Sequence, residues 1–123
     1  MEINKIFDLQ KRSYNFALEI VKILKSLPRN FIAETIGKQL LRSATSVGAN
    51  IIEGRSSASK RDFANFYRHS LKSANETKFW ISLLQDAKMV TDINSLRLLL
   101  RETEELASIL ASCLLKVRPL INF

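Results

Sequence analysis

The stretch Ser46–Trp80, SVGANIIEGRSSASKRDFANFYRHSLKSANETKFW, closes one helix and opens the next. Its first part runs through small residues to Gly54. The run Ser56-Ser57-Ala58-Ser59 then breaks the helical period, because short hydroxylated side chains bond to nearby backbone and favour turns. Ser59 with Asp62 three residues on is a near capping box, so a helix restarts there. Beyond it, Phe63, Phe66, Tyr67, Ser70, Leu71, Ala74, Thr77, Ile81 and Leu84 recur at helical spacing and form one inward stripe.

Working outward from this pair gives four helices in all. A first helix of about residues 3–26 is stopped by Leu27-Pro28-Arg29-Asn30, since proline disfavours α geometry in the residue before it. The second spans about 31–54, the third about 59–88, and the fourth about 92–117, opened by Thr91 or Asp92 and stopped before Pro119. The second helix buries Ile36, Leu40, Ala44, Val47 and Ile51 beside the small run Ser43–Ala49. Gly48 inside that run costs about 1 kcal/mol relative to alanine and so implies a close neighbour. The fourth helix carries Leu96, Leu99, Thr103, Leu106, Leu110, Cys113 and Val117 as its seam. On the first, Ile6, Ala17, Ile20 and Leu24 form a line flanked by Phe7, Leu9, Phe16, Leu18 and Ile23. Only three glycines and two prolines occur, and no period-2 alternation. Long helices with short connections predict a single all-α domain over residues 1–123, an antiparallel up-down-up-down four-helix bundle.

Composition narrows the function classes. At 123 residues with 46% apolar and 25% charged residues the chain can bury a core and is not of disordered type. No apolar run reaches membrane-span length, the N-terminus is too charged for a signal peptide, and the lone Cys113 allows no internal disulfide. A cytoplasmic location away from membranes is the expectation. The single histidine, His69, leaves no Glu-x-x-His pair for a di-metal site and too few ligands for zinc. The dispersed Gly37, Gly48 and Gly54 make no phosphate loop, and Cys113 falls on a core stripe. His69 with Asp62 and Glu76, each seven residues away, reads as a surface polar cluster. The expectation is a protein that is not an enzyme and needs no cofactor or metal.

The net charge of +7 is uneven. Residues 1–30 hold six basic and three acidic side chains, residues 59–90 the same, and residues 91–123 balance at four each. Arg61, Arg68 and Lys72 share one line on the third helix, opposite its core stripe. Lys11 and Lys22 form a comparable line on the first, and Arg55 and Lys60 bracket the intervening turn. Such a face suits a phosphate backbone, while a solvated face that maintains solubility is the plain alternative. Without interleaved aromatics or a base-reading motif, binding would follow shape and phosphates. Further along the third helix the outer face turns apolar at Phe79, Trp80 and Leu83. With the spare arc of the first helix, represented by Phe16 and Ile23, these residues predict a self-association surface. At the end of the second helix, Asn50, Glu53 and Gly54 form a corner. A carboxylate near a helix C-terminus opposes the helix dipole, so Glu53 is expected to have a partner. Either that partner is an arginine or the start of the third helix, fixing the corner, or Glu53 shapes an anion- or RNA-facing pocket with Arg55.

The run Leu41–Gly54, LRSATSVGANIIEG, with Ser59-Lys60-Arg61-Asp62-Phe63, Ser73 and Glu76, resembles the four-helix-bundle proteins encoded in intervening sequences of bacterial 23S rRNA genes. Phe7-Asp8-Leu9 and the run from Ala17 to Pro28 resemble the family's first helix. Ile52 stands where many relatives have alanine, and the fourth helix matches in pattern only. The resemblance implies a bundle that assembles as a ring, commonly a homopentamer. It also implies kinship with the accessory variability factor of diversity-generating retroelements, a basic pentamer that binds RNA and a reverse transcriptase. No catalytic residues are implied. The functional expectation is a basic homo-oligomer that binds RNA. A scaffold docking a larger polymerase-type enzyme is the rival, and a sequence-specific DNA binder comes third.

Overall fold

The computed structural model describes residues 3–121, with side-chain surroundings for residues 8–117, so Ile6 and Phe7 of the expected apolar arc lie outside the described side chains. Four helices follow one another: α1 Ile3–Lys25, α2 Phe31–Arg55, α3 Lys60–Asp86 and α4 Ile93–Ile121. No strand occurs among the described residues.

Their ends follow from local chemistry. Asn30 Oδ1 accepts the Ala33 N–H at 2.9 Å, Ser59 Oγ accepts that of Asp62 at 3.1 Å, and Asp92 Oδ1 accepts that of Ser95 at 3.1 Å. Each satisfies a backbone donor that the first helical turn leaves free. α3 stops two residues before the expected Lys88. There the Met89 N–H reaches the Leu84 carbonyl and the Lys88 N–H the Gln85 carbonyl, both at 3.1 Å. This paired closure places Lys88 in the left-handed region, φ 57°, a conformation glycine usually supplies. α4 differs from expectation at its end, continuing past Pro119 to Ile121. A proline removes one N–H yet keeps a helix-compatible φ, so the helix passes with the loss of a bond.

One core is shared by all four helices. It comprises Leu9, Phe16, Ile20 and Ile23 from α1, Leu40, Ala44, Val47 and Ile51 from α2, and Tyr67, Ala74, Ile81 and Leu84 from α3. Leu96, Leu99, Leu106, Leu110 and Cys113 of α4 and Val90 complete it. This corrects the reading of α1. Phe16 and Ile23, expected on a self-association surface, are 2% and 8% exposed and belong to their own chain's interior. α1 packs against both α2 and α4, and an element with two neighbours buries a broader arc than a single stripe needs.

Close approach occurs where the small residues are. A Cβ on Gly48 would lie 3.1 Å from Ser13 Oγ of α1. On Gly54 it would lie 3.0 Å from the Tyr67 ring and 3.1 Å from the Phe66 Cβ of α3. Between α2 and α3, residue 43 meets 77, 46 meets 73, 47 meets 70, and 54 meets 67.

Candidate nucleic-acid interface

The α2–α3 seam carries polar side chains at positions that face a neighbour. Thr77 Oγ1 lies 2.9 Å from Ser43 Oγ, Ser73 Oγ donates to Ser46 Oγ at 2.9 Å, and Ser70 Oγ donates to the Val47 carbonyl at 2.8 Å. Buried hydroxyls are tolerated when paired in this way. Asn50 Nδ2 donates to the Ser46 carbonyl and to Ser46 Oγ, both at 2.9 Å. Asn50 is thus tied back along its own helix and does not brace the α2–α3 turn.

Above this ladder lies an open groove of about 630 Å³, lined by Ser46, Asn50, His69, Lys72, Ser73 and Glu76. Glu76 is fixed at its edge: Arg42 and the Trp80 indole N–H, the latter at 2.9 Å, both bond its Oε2. The Trp80 bond, aided by Arg42, holds the Glu76 carboxyl below its usual range despite some desolvation. It is therefore an ionised acceptor at neutral pH. The expected cluster of His69 with Asp62 and Glu76 is only partly assembled, since Asp62 does not line the groove. Arg42, Ser46 and Ser73 were not singled out as site residues. The signal for them is the i, i+4 pair Ser46/Asn50 facing the i, i+4, i+7 set His69, Ser73 and Glu76.

Arg61, Arg68 and Lys72 stand exposed along the outer line of α3, with Lys60 in its first turn. Arg68 Nη1 donates to the neutral Asn65 Oδ1 at 2.6 Å. Among the described residues, none of these four cations pairs with a carboxylate. The other expected phosphate contacts are placed elsewhere. Among the described residues the backbones of α1 and α3 are not adjacent, so Lys11 and Lys22 do not extend the α3 line within one chain. Lys22 Nζ also pairs with Glu19 at 3.0 Å. Arg55 Nη1 reaches Gln10 Oε1 on α1 at 2.9 Å, which directs it away from the α3 face.

The corner also needs correction. Glu53 is exposed and, among the described residues, has neither hydrogen bond nor ion pair. Neither expected partner meets it, because solvent at this helix end screens the unfavourable dipole. Gly54 is the corner's structural element, buried against Tyr67.

Two turns beyond Lys72 the same face becomes apolar. Phe79 is 59% exposed and Leu83 lies beside it on that face. Trp80 is half-buried, its ring edge-on to Phe79 at 4.9 Å between centroids. Among the described residues no three His, Cys, Asp or Glu side chains gather within reach of one metal ion. No described helix is long and apolar enough to cross a membrane.

Residues 5–112 match the family model described as 23S rRNA-intervening sequence protein. A similar crystal structure is that of a protein of unknown function from the S23 ribosomal protein family of Bacteroides thetaiotaomicron. It is 33% identical, aligns over 86% of this chain and 97% of its own, and superposes with a TM-score of 0.78. No curated protein matches the chain. The family match over most of the chain and the shared four-helix fold agree: the chain belongs to the 23S rRNA-intervening sequence protein family.

Proposed function

We propose that this chain is a non-enzymatic, cytoplasmic, homo-oligomeric protein that binds structured RNA through the outer face of α3. The observation that carries the reading is the exposed line Arg61, Arg68 and Lys72, with Lys60 beside it and no carboxylate partner among the described residues. Cations without a carboxylate partner are available to replace the counterions of a phosphate backbone. The family's name, which refers to sequences within 23S rRNA, gives an RNA as the natural class of ligand.

The pairing of 43 with 77 and of 54 with 67 supports an antiparallel up-down-up-down bundle. The exposed Phe79 and Leu83 support assembly of such bundles into a ring, with a pentamer as the expected size. A basic ring of this kind has the character of the retroelement accessory factor. The same exposed aromatic patch favours a second reading, in which the ring docks a polymerase-type protein and the charge is incidental.

Fluorescence-anisotropy titration of a structured RNA across a salt series separates the two. Wild type should weaken steeply with salt. The triple variant Arg61/Arg68/Lys72→Gln should keep its assembly mass, while the log–log salt slope falls by about 2, at roughly 0.7 to 0.9 for each phosphate no longer neutralised. Binding absent even at low salt would sink the RNA reading and leave the protein-docking one.

A further inference from the structure

We propose that the groove between α2 and α3 reads the ribose 2′-hydroxyl, so that this face distinguishes RNA from DNA. The inference rests on the reading of α3 as an RNA-binding face and adds to it a source of selectivity that phosphate contacts alone lack.

The argument starts from the unspent hydrogen-bonding capacity of the groove. Both internal bonds to Glu76 fall on Oε2, which leaves Oε1 as an acceptor. Asn50 spends its Nδ2 on Ser46, which leaves its Oδ1 as an acceptor. Ser46 Oγ already accepts from both Asn50 and Ser73. The groove therefore offers acceptors at Glu76 and Asn50, with Lys72 and His69 as cationic or polar rim. A phosphate cannot sit on the acceptors, because the carboxylate repels it. It is drawn to Lys72, the last cation of the exposed line. A nucleotide whose phosphate meets Lys72 then brings its sugar over the acceptors, where a hydroxyl donor is the complementary group.

Stability does not explain why a carboxylate is held on this face. The Arg42–Glu76 pair is substantially exposed, 57% and 37% by side chain, and such pairs contribute little to folding. What Arg42 and Trp80 achieve is orientation: they lock one oxygen and present the other. The 2′-hydroxyl is both donor and acceptor, and it is the group that lets a protein tell RNA from DNA. DNA at the same place would leave the Glu76 and Asn50 acceptors without a donor.

The test is anisotropy binding of one hairpin-forming sequence prepared as RNA, as DNA and as 2′-O-methyl RNA. It compares wild type with Glu76→Met, Glu76→Gln and Lys72→Gln. Wild type should prefer RNA over both analogues by roughly tenfold, the factor that one hydrogen bond to a charged group supplies. Glu76→Met should bring that ratio close to one and, because the repelling carboxylate is gone and Arg42 is released, should strengthen DNA binding rather than weaken it. Glu76→Gln, which keeps a carbonyl acceptor but not the charge, should fall between. Lys72→Gln should weaken all three ligands alike. Equal wild-type affinity for RNA and DNA overturns the proposal, as does 2′-O-methyl RNA bound like RNA, or a ratio that survives Glu76→Met. No binding of any of the three at low salt overturns instead the RNA reading on which the proposal rests.

Discussion

The α2–α3 and α1–α4 seams solve the same packing problem in opposite ways. Between α2 and α3, Gly54, Ala44, Ser43 and Ser70 let the helices approach, and paired hydroxyls fill the space between them. α1 and α4 approach each other less closely, and clefts of about 440 and 340 Å³ remain between them, with Arg12 lining both. That gap is spanned by charge. Arg12 bonds Glu102 through Nη2 at 2.5 Å and Nε at 3.1 Å, and reaches Glu105 at 2.7 Å. The contrast teaches that the distance between two helix backbones decides how their seam is closed. Where backbones come near, short directional bonds suffice. Where they stay apart, long ionic side chains bridge them.

If the α2–α3 seam depends on proximity, enlarging its tightest point should produce the greatest loss. A Cβ on Gly54 already meets ring and Cβ atoms at 3.0–3.1 Å, and a valine adds two methyls to it. Overpacking of this kind costs about 2–3 kcal/mol, so Gly54→Val should lower the urea midpoint substantially. Gly48→Ala meets only Ser13, its hydroxyl at 3.1 Å and its Cβ at 3.5 Å, and gains helix propensity, so it should stay within about 1 kcal/mol of wild type. Equal losses for the two would mean that the seam is not specially close.

The same seam contains an imperfection that sharpens the comparison. Among the described residues the buried Tyr67 hydroxyl has no hydrogen-bond partner, while its ring stacks on Phe63 at 4.1 Å. Burial, with a smaller contribution from Cys113, pushes its pKa up to about 12. Between the ordinary value near 10 and this one, the unfolded chain has lost its proton and the folded chain keeps it. Fewer protons on the unfolded state mean that stability falls as pH rises through that window. Tyr67→Phe should raise stability by about 1 kcal/mol at neutral pH, since it removes an unsatisfied buried hydroxyl without altering the ring. It should also flatten the loss between pH 10 and 12, a change that chemical denaturation at each pH would show.

How far these seams were legible in the sequence follows from the range of the interactions that build them. The four helices, their caps at Ser59 and Asp92, and the α3 core stripe are written in spacings of three, four and seven residues. The small run Ser43–Ala49 announced a near neighbour, and Gly48 has one in Ser13. The α1–α4 bridge joins residues 90 and 93 positions apart, and no local pattern marks Arg12 out from the other basic residues of α1. Phe16 and Ile23 were misplaced for a related reason: a stripe gives the centre of a buried arc, whereas its width depends on how many helices surround it. Glu53 failed differently. The dipole rule identified a disfavoured charge, but exposure at the helix end removed the need for a partner. The exposed line Arg61, Arg68 and Lys72 was legible because it lies on one helix. The groove beside it was not, because it requires Ser46 and Asn50 to be laid against Ser73 and Glu76.

The smallest effect is expected at the more conspicuous ion pair. Arg12 and Glu102 are 36% and 30% exposed at the side chain, so water screens their attraction and ordering two long side chains offsets part of it. The carboxylates raise the pKa of an already permanently charged guanidinium, which adds no titration in any accessible range. Arg12→Gln should therefore cost less than about 1 kcal/mol, and the deficit should shrink further as salt is raised. Removing the charge also leaves Glu102 and Glu105 in contact with solvent, so no buried ion is stranded. A loss above about 2 kcal/mol that persists at high salt would reverse the comparison. It would mean that the α1–α4 seam, open as it is, is held shut by that single guanidinium. The clefts on either side would then be the place where the fold first opens.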